Sequence, residues 1–270
     1  MKGPCQICGF TDIRDYVKHE EGHYLRCAGC GLIVNADADE LMARSVEHYD
    51  DEAYFQNYEG RAGRKVRSAA RRIRLIRSWV PSGRLLDIGC GVGETLIAAR
   101  DAGFDPIGLD IGEYPVEHCR GLGFEVHRAS ITRTGLPDNS FDVVTMWDVI
   151  EHIPRTSEGL REVWRILKPG GLAVVMTPSG EYLRAHYWRQ TYRGYRKKRA
   201  KTHLVYHNSR TLDRVLRECG FVPLPPALPH LGALPRYLFG RLRSALRLNR
   251  NLFVLARKEA GPDRRETVEE

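Results

Sequence analysis

The sequence has no run of about 18 uncharged apolar residues, so it predicts no transmembrane helix. Its first residues, Met1–Cys5, include no apolar segment of the kind that directs secretion. Internal repeats are absent, and 26 glycines and 14 prolines among 270 residues are too few for a fibrous or linker protein. These absences predict a cytoplasmic globular protein with one α/β core and a small appendage.

Acidic residues are missing from three strongly basic stretches. Residues 61–77, 184–201 and 236–258 hold 8, 8 and 7 basic residues and no acid, and the net charge is +8. Residues 37–59 are the opposite, with eight acids and one base. Such clustering favours an anionic partner, such as nucleic acid, anionic lipid or a phosphorylated substrate, about as strongly as it favours a solvated surface.

Four of the seven cysteines form two closely spaced pairs near the amino terminus. The pattern is Cys-x2-Cys-x18-Cys-x2-Cys, made by Cys5, Cys8, Cys27 and Cys30, and a glycine follows each pair. Four thiolates satisfy tetrahedral zinc, and a disulfide pairing is the weaker alternative in a cytosolic chain. Since the protein fills all four positions, the zinc is predicted to be structural. The segment between the pairs predicts two strands with Gly22 at the turn, as in a zinc ribbon.

Apolar strands alternate with amphipathic helices from Arg84 onward. This alternation predicts a parallel sheet covered on both faces by helices. The predicted strands are Arg84–Ile88, Asp105–Leu109, Phe124–Arg128, Phe141–Met146, Leu172–Met176 and Asn251–Arg257. The predicted helices are Arg64–Trp79, Glu94–Ala102, Pro115–Gly121, Thr156–Leu167 and one that follows a Ser209 cap.

A glycine-rich loop joins the first strand of this series to the next helix. The strand ends in Asp87, and Gly89, Gly91 and Gly93 follow, so that a ligand can approach the backbone closely. Such a loop is a weak signal alone, because dinucleotide-binding folds use a related one. Here the spacing is G-x-G-x-G, and Asp110 ends the next strand, where a carboxylate can accept both hydroxyls of a ribose.

Three more motifs follow in order, at residues 136–144, 147–152 and 167–171. With the glycine loop and Asp110, they make the chain resemble the class I S-adenosylmethionine-dependent methyltransferases over roughly Gly60 to Lys258. It is most similar to the small-molecule branch typified by ubiquinone-biosynthesis O-methyltransferases. The resemblance implies a Rossmann-like seven-stranded sheet of order 3-2-1-4-5-7-6, whose last strand is antiparallel, beside the zinc ribbon.

The resemblance also implies which residues bind S-adenosyl-L-methionine. Asp87 and the glycine loop would hold the methionine end, Asp110 the ribose and Ile111 the adenine. Ser130 or Thr132, with Ile131, would lie at the adenine edge, and Trp147 would line the floor near the sulfonium. The implied cofactor residues are Asp87, Gly89, Gly91, Gly93, Asp110, Ile111, Ser130, Ile131 and Trp147.

The candidate general base is His152, with Glu151 beside it, after the fourth strand of the series. The alternative is a histidine that only orders its loop. His203, after an inserted segment, is the second candidate base. Relatives with a similar Glu-His pair imply a further role in metal binding, here through Asp148, Glu151 and His152.

The domain boundaries follow from these motifs. They are a zinc ribbon at 1–35, a linker and lid helix at 36–82, a methyltransferase domain at 83–258 with substrate-side inserts at 178–203 and 225–250, and a disordered tail at 259–270. Residues 187–199 mix aromatics with cations, and 234–250 predict a cationic amphipathic helix. We therefore expect a small-molecule, glycan or lipid-linked acceptor, with peripheral contact at the inner membrane surface; an RNA methyltransferase is the alternative.

Overall fold

The computed structural model describes residues 3–19, 22–49, 62–181, 202–224 and 251–259. Within them, a seven-stranded sheet forms the centre of the fold. Its strands are β4 (Gly83–Ile88), β5 (Phe104–Asp110), β6 (Glu125–Arg128), β7 (Phe141–Trp147), β8 (Leu167–Pro178), β10 (Phe221–Pro223) and β11 (Asn251–Lys258). Six of these strands run through the positions that the apolar runs predict, whereas β10 has no predicted counterpart.

The strand order in this sheet is β6-β5-β4-β7-β8-β11-β10. Pairing is parallel from β6 to β8, whereas β11 is antiparallel to both β8 and β10. This is the order 3-2-1-4-5-7-6 with an antiparallel last strand, so the predicted methyltransferase sheet is confirmed. The carboxyl ends of β4, β5 and β7 meet at one edge, which places the loops after them side by side.

Helices cover both faces of the sheet. They are α2 (Ala62–Arg77), α3 (Glu94–Asp101), α4 (Glu113–Gly121), α5 (Thr156–Ile166) and α6 (Ser209–Glu218). Ile73 and Ile76 of α2 pack with Leu85 on one face, while Leu160 of α5 and Leu212 of α6 pack with Val144 on the other. The apolar stripes of these helices therefore form two layers around buried strands.

A second, four-stranded antiparallel sheet has the order β1-β2-β3-β9. Its first three strands, β1 (Ile13–His19), β2 (Gly22–Cys27) and β3 (Ile33–Asn35), belong to the cysteine-rich segment. The fourth, β9 (Val205–Tyr206), comes from the segment that follows the first insert. The ribbon is thus joined to the methyltransferase fold by strand pairing, which the sequence boundary at residue 35 did not indicate.

Further details differ from the sequence predictions. Helix α1 (Ala38–Tyr49) has no counterpart among the predicted elements. The cap of α6 is Asn208 rather than Ser209, since its side chain accepts a hydrogen bond from the N–H of Thr211. Strand β8 begins at Leu167, five residues before the predicted strand Leu172–Met176. Within the described ranges, no helix combines the length and apolar character needed to span a membrane.

Candidate functional site

The glycine loop after β4 depends on backbone conformations that other residues adopt poorly. Gly89, Gly91 and Gly93 have φ values of 69°, 53° and 84°. A methyl group added at Gly89 would lie 2.7 Å from Cγ2 of Val149, in the loop after β7. At Gly91, no atom lies within 4 Å of such a methyl group. The loop is therefore tightly packed against Val149 at Gly89, whereas it has open space at Gly91.

Asp110, at the end of β5, holds this loop in place. One carboxylate oxygen accepts the N–H of Gly91 at 3.0 Å, and the other accepts the N–H of Gly112 at 3.0 Å. The side chain is buried. These two hydrogen bonds connect the turn after β5 to the glycine loop. Asp110 therefore fixes the position of the loop at this edge of the sheet.

Asp87 lies beneath the loop and is almost fully buried. Burial raises the pKa of its carboxyl group to about 8, against the opposing effect of hydrogen bonds from the Thr145 and Thr95 hydroxyls. Arg72 of α2 acts in the same direction as those hydroxyls. Asp87 is therefore a protonatable group that a cationic ligand would drive toward its charged form.

Trp147 lies at the carboxyl end of β7, in an aromatic stack with Phe253 of β11. The two rings are 6.1 Å apart and nearly parallel, at 8°. The Arg72 guanidinium lies 4.6 Å from the centre of the indole ring. This arrangement connects α2 to the sheet edge through a cation–π contact.

The residues expected around the adenine occupy two loops beside β5 and β6. Ile111 follows β5 directly and is half-buried. The Ser130 and Thr132 hydroxyls lie 3.0 Å apart in one turn. Ile131, between them, packs in the apolar core with Ile153. The hydroxyls are therefore at the surface of this turn, whereas the Ile131 side chain points into the core.

Glu151, His152 and His203 come together in the fold, although 50 residues lie between the two histidines in the sequence. Their potential ligand atoms all lie within 4.8 Å of one another. Glu151 is fully buried in the 3₁₀ turn Ile150–His152, where its carboxylate accepts a 2.9 Å hydrogen bond from Thr177. We call these three residues the histidine cluster.

The two imidazole rings of the histidine cluster are perpendicular, with centres 4.9 Å apart. Nδ1 of His152 lies 2.6 Å from the carbonyl oxygen of Thr202. A carbonyl only accepts hydrogen bonds, so Nδ1 carries the proton, and in the neutral ring Nε2 is left as the basic nitrogen. The geometry therefore defines which nitrogen of His152 can take a proton.

Neighbouring polar residues have other roles. Asp148, named with Glu151 and His152 as a metal ligand, is exposed, and the group that the described residues bring together has His203 in its place. His207 is fully buried, its Nε2 lies 3.0 Å from the Thr156 hydroxyl, and burial lowers its pKa to about 4. His207 is thus a neutral core residue.

The four cysteines of the ribbon also converge. Cys5 and Cys30 sulfurs lie 3.6 Å apart, Cys8 and Cys27 sulfurs 3.5 Å apart, and all four are within 4.8 Å of one another. A zinc tetrahedron with sulfur bonds of about 2.3 Å separates the sulfurs by about 3.8 Å. These separations are much longer than a disulfide bond.

The turns of the ribbon favour the thiolate form of Cys27, whereas burial raises the pKa of the Cys5 and Cys30 thiols. Burial raises the pKa of the Cys27 thiol, but the N–H of Cys30, the Cys8 thiol and the N–H of Gly29 outweigh burial and lower the pKa to about 7. Because zinc binds thiolates, this donor set fits a structural zinc ion.

A family-level comparison matches residues 54–225 to the methyltransferase domain family. This match spans well over half of the chain and includes the glycine loop, Asp110 and the histidine cluster. The chain belongs to the methyltransferase family. The class I, S-adenosylmethionine-dependent fold predicted from the motifs is therefore confirmed.

Individual methyltransferases match over shorter regions. A ubiquinone biosynthesis O-methyltransferase from Methylococcus capsulatus is 35% identical over 101 residues, which cover 35% of this chain and 43% of that protein. Phosphoethanolamine N-methyltransferase 3 from Arabidopsis thaliana is 30% identical over 155 residues, or 52% of this chain and 29% of that protein. The chain thus spans less than half the length of these relatives.

A solved structure gives the same fold. A SAM-dependent methyltransferase from Archaeoglobus fulgidus superimposes with a TM-score of 0.55 and 24% identity, covering 77% of this chain and all of that one. At this identity, the likeness describes the fold alone.

Several contacts of this methyltransferase site have no signal in its sequence motifs. Thr145 at Asp87, Val149 under Gly89 and Arg72 over Trp147 come from outside the loop segment, whereas Thr95 is only two residues after Gly93. No alternation on β7 indicates Thr145, because residues 143–146 are all buried. Only the pairing of β4 with β7 places Thr145 opposite Asp87. The basic segments at 187–199 and 234–250, and the tail from residue 260, lie outside the described residues.

Proposed function

We propose that this methyltransferase transfers the methyl group of S-adenosyl-L-methionine to a hydroxyl group of a small-molecule, glycan or lipid-linked acceptor. The observation that carries this proposal is the hydrogen bond from His152 Nδ1 to the Thr202 carbonyl. It leaves Nε2 as a basic nitrogen in the turn after β7, three residues from Val149, which packs against Gly89 of the glycine loop.

The glycine loop and Asp110 fit the cofactor. The open space at Gly91 admits a ligand against the backbone, and the ribose hydroxyls are proposed to bind at the Asp110 carboxylate, which holds this loop. When bound, the cofactor supplies an electrophilic methyl group on a positively charged sulfur. The buried Asp87 carboxyl group lies beneath, where positive charge favours its ionisation.

The histidine cluster supplies the base that an acceptor hydroxyl needs. His152 Nε2 takes the hydroxyl proton while the acceptor oxygen is held in line with the methyl group. The Thr202 carbonyl holds the ring and stabilises the positive charge that the imidazole gains. His203, perpendicular to His152, is the second candidate for this role, and the Glu151 carboxyl group lies next to both.

The cysteine site is proposed to hold a structural zinc ion, since its four thiol groups leave no coordination position open. We also propose a cytoplasmic location with peripheral contact at the inner membrane surface. The basic composition of residues 234–250 supports this contact. The O- and N-methyltransferases among the relatives support a small acceptor over RNA.

Calorimetric titration with S-adenosylmethionine tests cofactor binding. Asp110→Ala removes both acceptors that hold Gly91 and Gly112, so we expect an affinity loss of at least about tenfold. Asp101→Ala changes an exposed aspartate at the end of α3 and is the matched control. Equal affinities for the two variants would contradict the assignment of Asp110.

The acceptor class is tested by incubating a cell extract with methyl-labelled cofactor and the protein, followed by separation into lipid, glycan, small-molecule, protein and RNA fractions. We expect the label outside RNA, and we expect His152→Gln to lose most of it while cofactor affinity is retained. Label recovered in RNA would overturn the proposed acceptor class in favour of the RNA methyltransferase.

A further inference from the structure

The two cysteine turns are residues 5–8 and residues 27–30. Each of them contacts one of the chain segments that carry the histidine cluster. In the first turn, Nε2 of Gln6 donates a 2.7 Å hydrogen bond to the carbonyl of Pro154, two residues after His152. In the second turn, the carbonyl of Cys30 accepts a 2.8 Å hydrogen bond from Nδ2 of Asn208. The cysteine site therefore contacts both histidine segments.

Residues 202–208 form a bridge between the ribbon and the turn that holds His152. The N–H of Leu204 donates to the Glu151 carbonyl at 2.7 Å, and the Leu204 carbonyl accepts the N–H of Asn35 at 2.8 Å. The next two residues pair with Ile33 and Val34 as strand β9. A displacement of the ribbon would thus move the backbone on both sides of His203.

Asn208 connects this bridge to a helix as well. Its Oδ1 accepts the N–H of Thr211 at the start of α6, while its Nδ2 donates to the Cys30 carbonyl. One side chain therefore holds the end of the bridge to both the helix and the second cysteine turn. Both of its hydrogen bonds restrict the backbone that follows His203.

We propose that a metal ion on the four cysteines acts as a clamp that positions His152 and His203. A single ion joins the two cysteine turns, and therefore fixes the separation of Gln6 from Cys30. Through the hydrogen bonds to Pro154 and Asn208, this separation sets the spacing of the two histidine segments. Gln6 and Asn208 are the positioning residues. The chemical purpose of the clamp rests on the proposed function of the histidine cluster.

The cofactor side of the molecule is built separately from this clamp. The glycine loop is held by Asp110, which bonds Gly91 and Gly112 without any residue of the ribbon. Loss of the clamp should therefore alter the histidine cluster and leave S-adenosylmethionine binding unchanged. General unfolding would affect both.

The test uses the zinc-loaded full chain and long-range ¹H–¹⁵N NMR spectra, which report the tautomer of each imidazole. His152→Gln and His203→Gln serve only to assign the signals. In the unmodified protein we expect His152 in the Nδ1–H form. Gln6→Ala and Asn208→Asp should each shift both histidine signals and speed exchange of the Leu204 amide about 3- to 10-fold, the effect of losing one hydrogen bond.

Asn208→Asp keeps an oxygen for the cap of α6 but removes the donor to Cys30. Asn139→Asp is the matched control, because it makes the same change of charge and keeps the acceptor that binds Lys258. Removal of zinc by a chelator should reproduce the shifts of the two variants. S-adenosylmethionine affinity, measured by calorimetry, should stay within about twofold throughout.

Histidine signals that stay in place in both variants and after zinc removal would overturn the clamp. Signals that move only when cofactor affinity is also lost would overturn it too, because they would report general unfolding. If the unmodified protein fails to bind S-adenosylmethionine, the proposed function fails, while the histidine signals still decide whether the ribbon positions the cluster.

Discussion

The glycine loop and the histidine cluster lie at the same edge of the sheet but are assembled from different parts of the chain. The loop is held by Asp110, which bonds the backbone of Gly91 and Gly112. The cluster depends on two hydrogen bonds between its segments and the ribbon. Gln6 donates to the Pro154 carbonyl, and Asn208, at the cap of α6, donates to the Cys30 carbonyl.

The geometry of the glycine loop is therefore set by residues close in sequence, whereas the geometry of the histidine cluster is set by residues far apart in sequence. The loop owes its shape to glycine conformations and to one carboxylate close in sequence. The histidine cluster owes its shape to a second sheet and to hydrogen bonds that cross more than 100 residues. We therefore expect substitutions in the loop to act on the cofactor, and substitutions around the cluster to act on the base.

The largest effect is expected for Gly89→Ala. The new methyl group would lie 2.7 Å from Val149 at a positive φ, so we expect a loss of about 2–5 kcal/mol in the free energy of unfolding. Gly91→Ala, which meets no atom within 4 Å, should lose cofactor affinity with a smaller loss of stability. Urea unfolding and calorimetry measure both quantities, and equal stability losses would contradict this account of the loop.

The next predictions concern the pH dependence of the free energy of unfolding, which has opposite signs for Asp87 and His207. The pKa of Asp87 is raised to about 8, so between about pH 4 and 8 the folded state holds a proton that the unfolded chain has lost. Stability therefore falls as pH rises through this window, by up to about 1.4 kcal/mol per unit. Asp87→Asn should remove this slope in urea unfolding measured between pH 5 and 8.

His207 gives a dependence of stability on pH of the opposite sign. Its pKa is lowered to about 4, so between about pH 4 and 6.5 the unfolded chain binds a proton that the folded state does not. Stability therefore falls as pH decreases through this window, by up to about 3 kcal/mol in total. His207→Gln should remove this loss. If both variants changed the slope in the same direction, the assigned burial of one group would be wrong.

The smallest effect is expected for Thr177→Val, which keeps the shape of the side chain but removes the hydrogen bond to Glu151. We expect a stability loss of about 1–3 kcal/mol, with cofactor affinity unchanged. Thermal unfolding and calorimetry provide the two measurements. A loss of cofactor affinity would show that the two regions are coupled more closely than their separate hydrogen bonds indicate.

The sequence predicts the glycine loop well because its determinants are local. Glycine spacing, Asp87 and Asp110 lie within one strand–helix–strand unit, and the resemblance supplied the strand order. Thr145 escaped prediction because its contact with Asp87 depends on strand pairing between β4 and β7. The roles assigned to Ile111, Ser130 and Ile131 at the adenine stay predictions.

Residues of the histidine cluster were recognised one at a time, but their convergence was not. His152 and His203 are separated by an insert, and no local pattern indicates that Thr202 would bond His152. Pairing of residues 33–34 with 205–206 likewise has no periodic signal, because a two-residue strand is too short to show alternation. Such contacts are set by tertiary packing.

The stack of Arg72, Trp147 and Phe253 has a practical consequence. A ligand that entered between α2 and the sheet edge would move the guanidinium away from the indole and change the polarity around the ring. The emission of Trp147 would then change in wavelength and intensity. The molecule thus carries a built-in optical reporter of helix movement, readable without any attached dye.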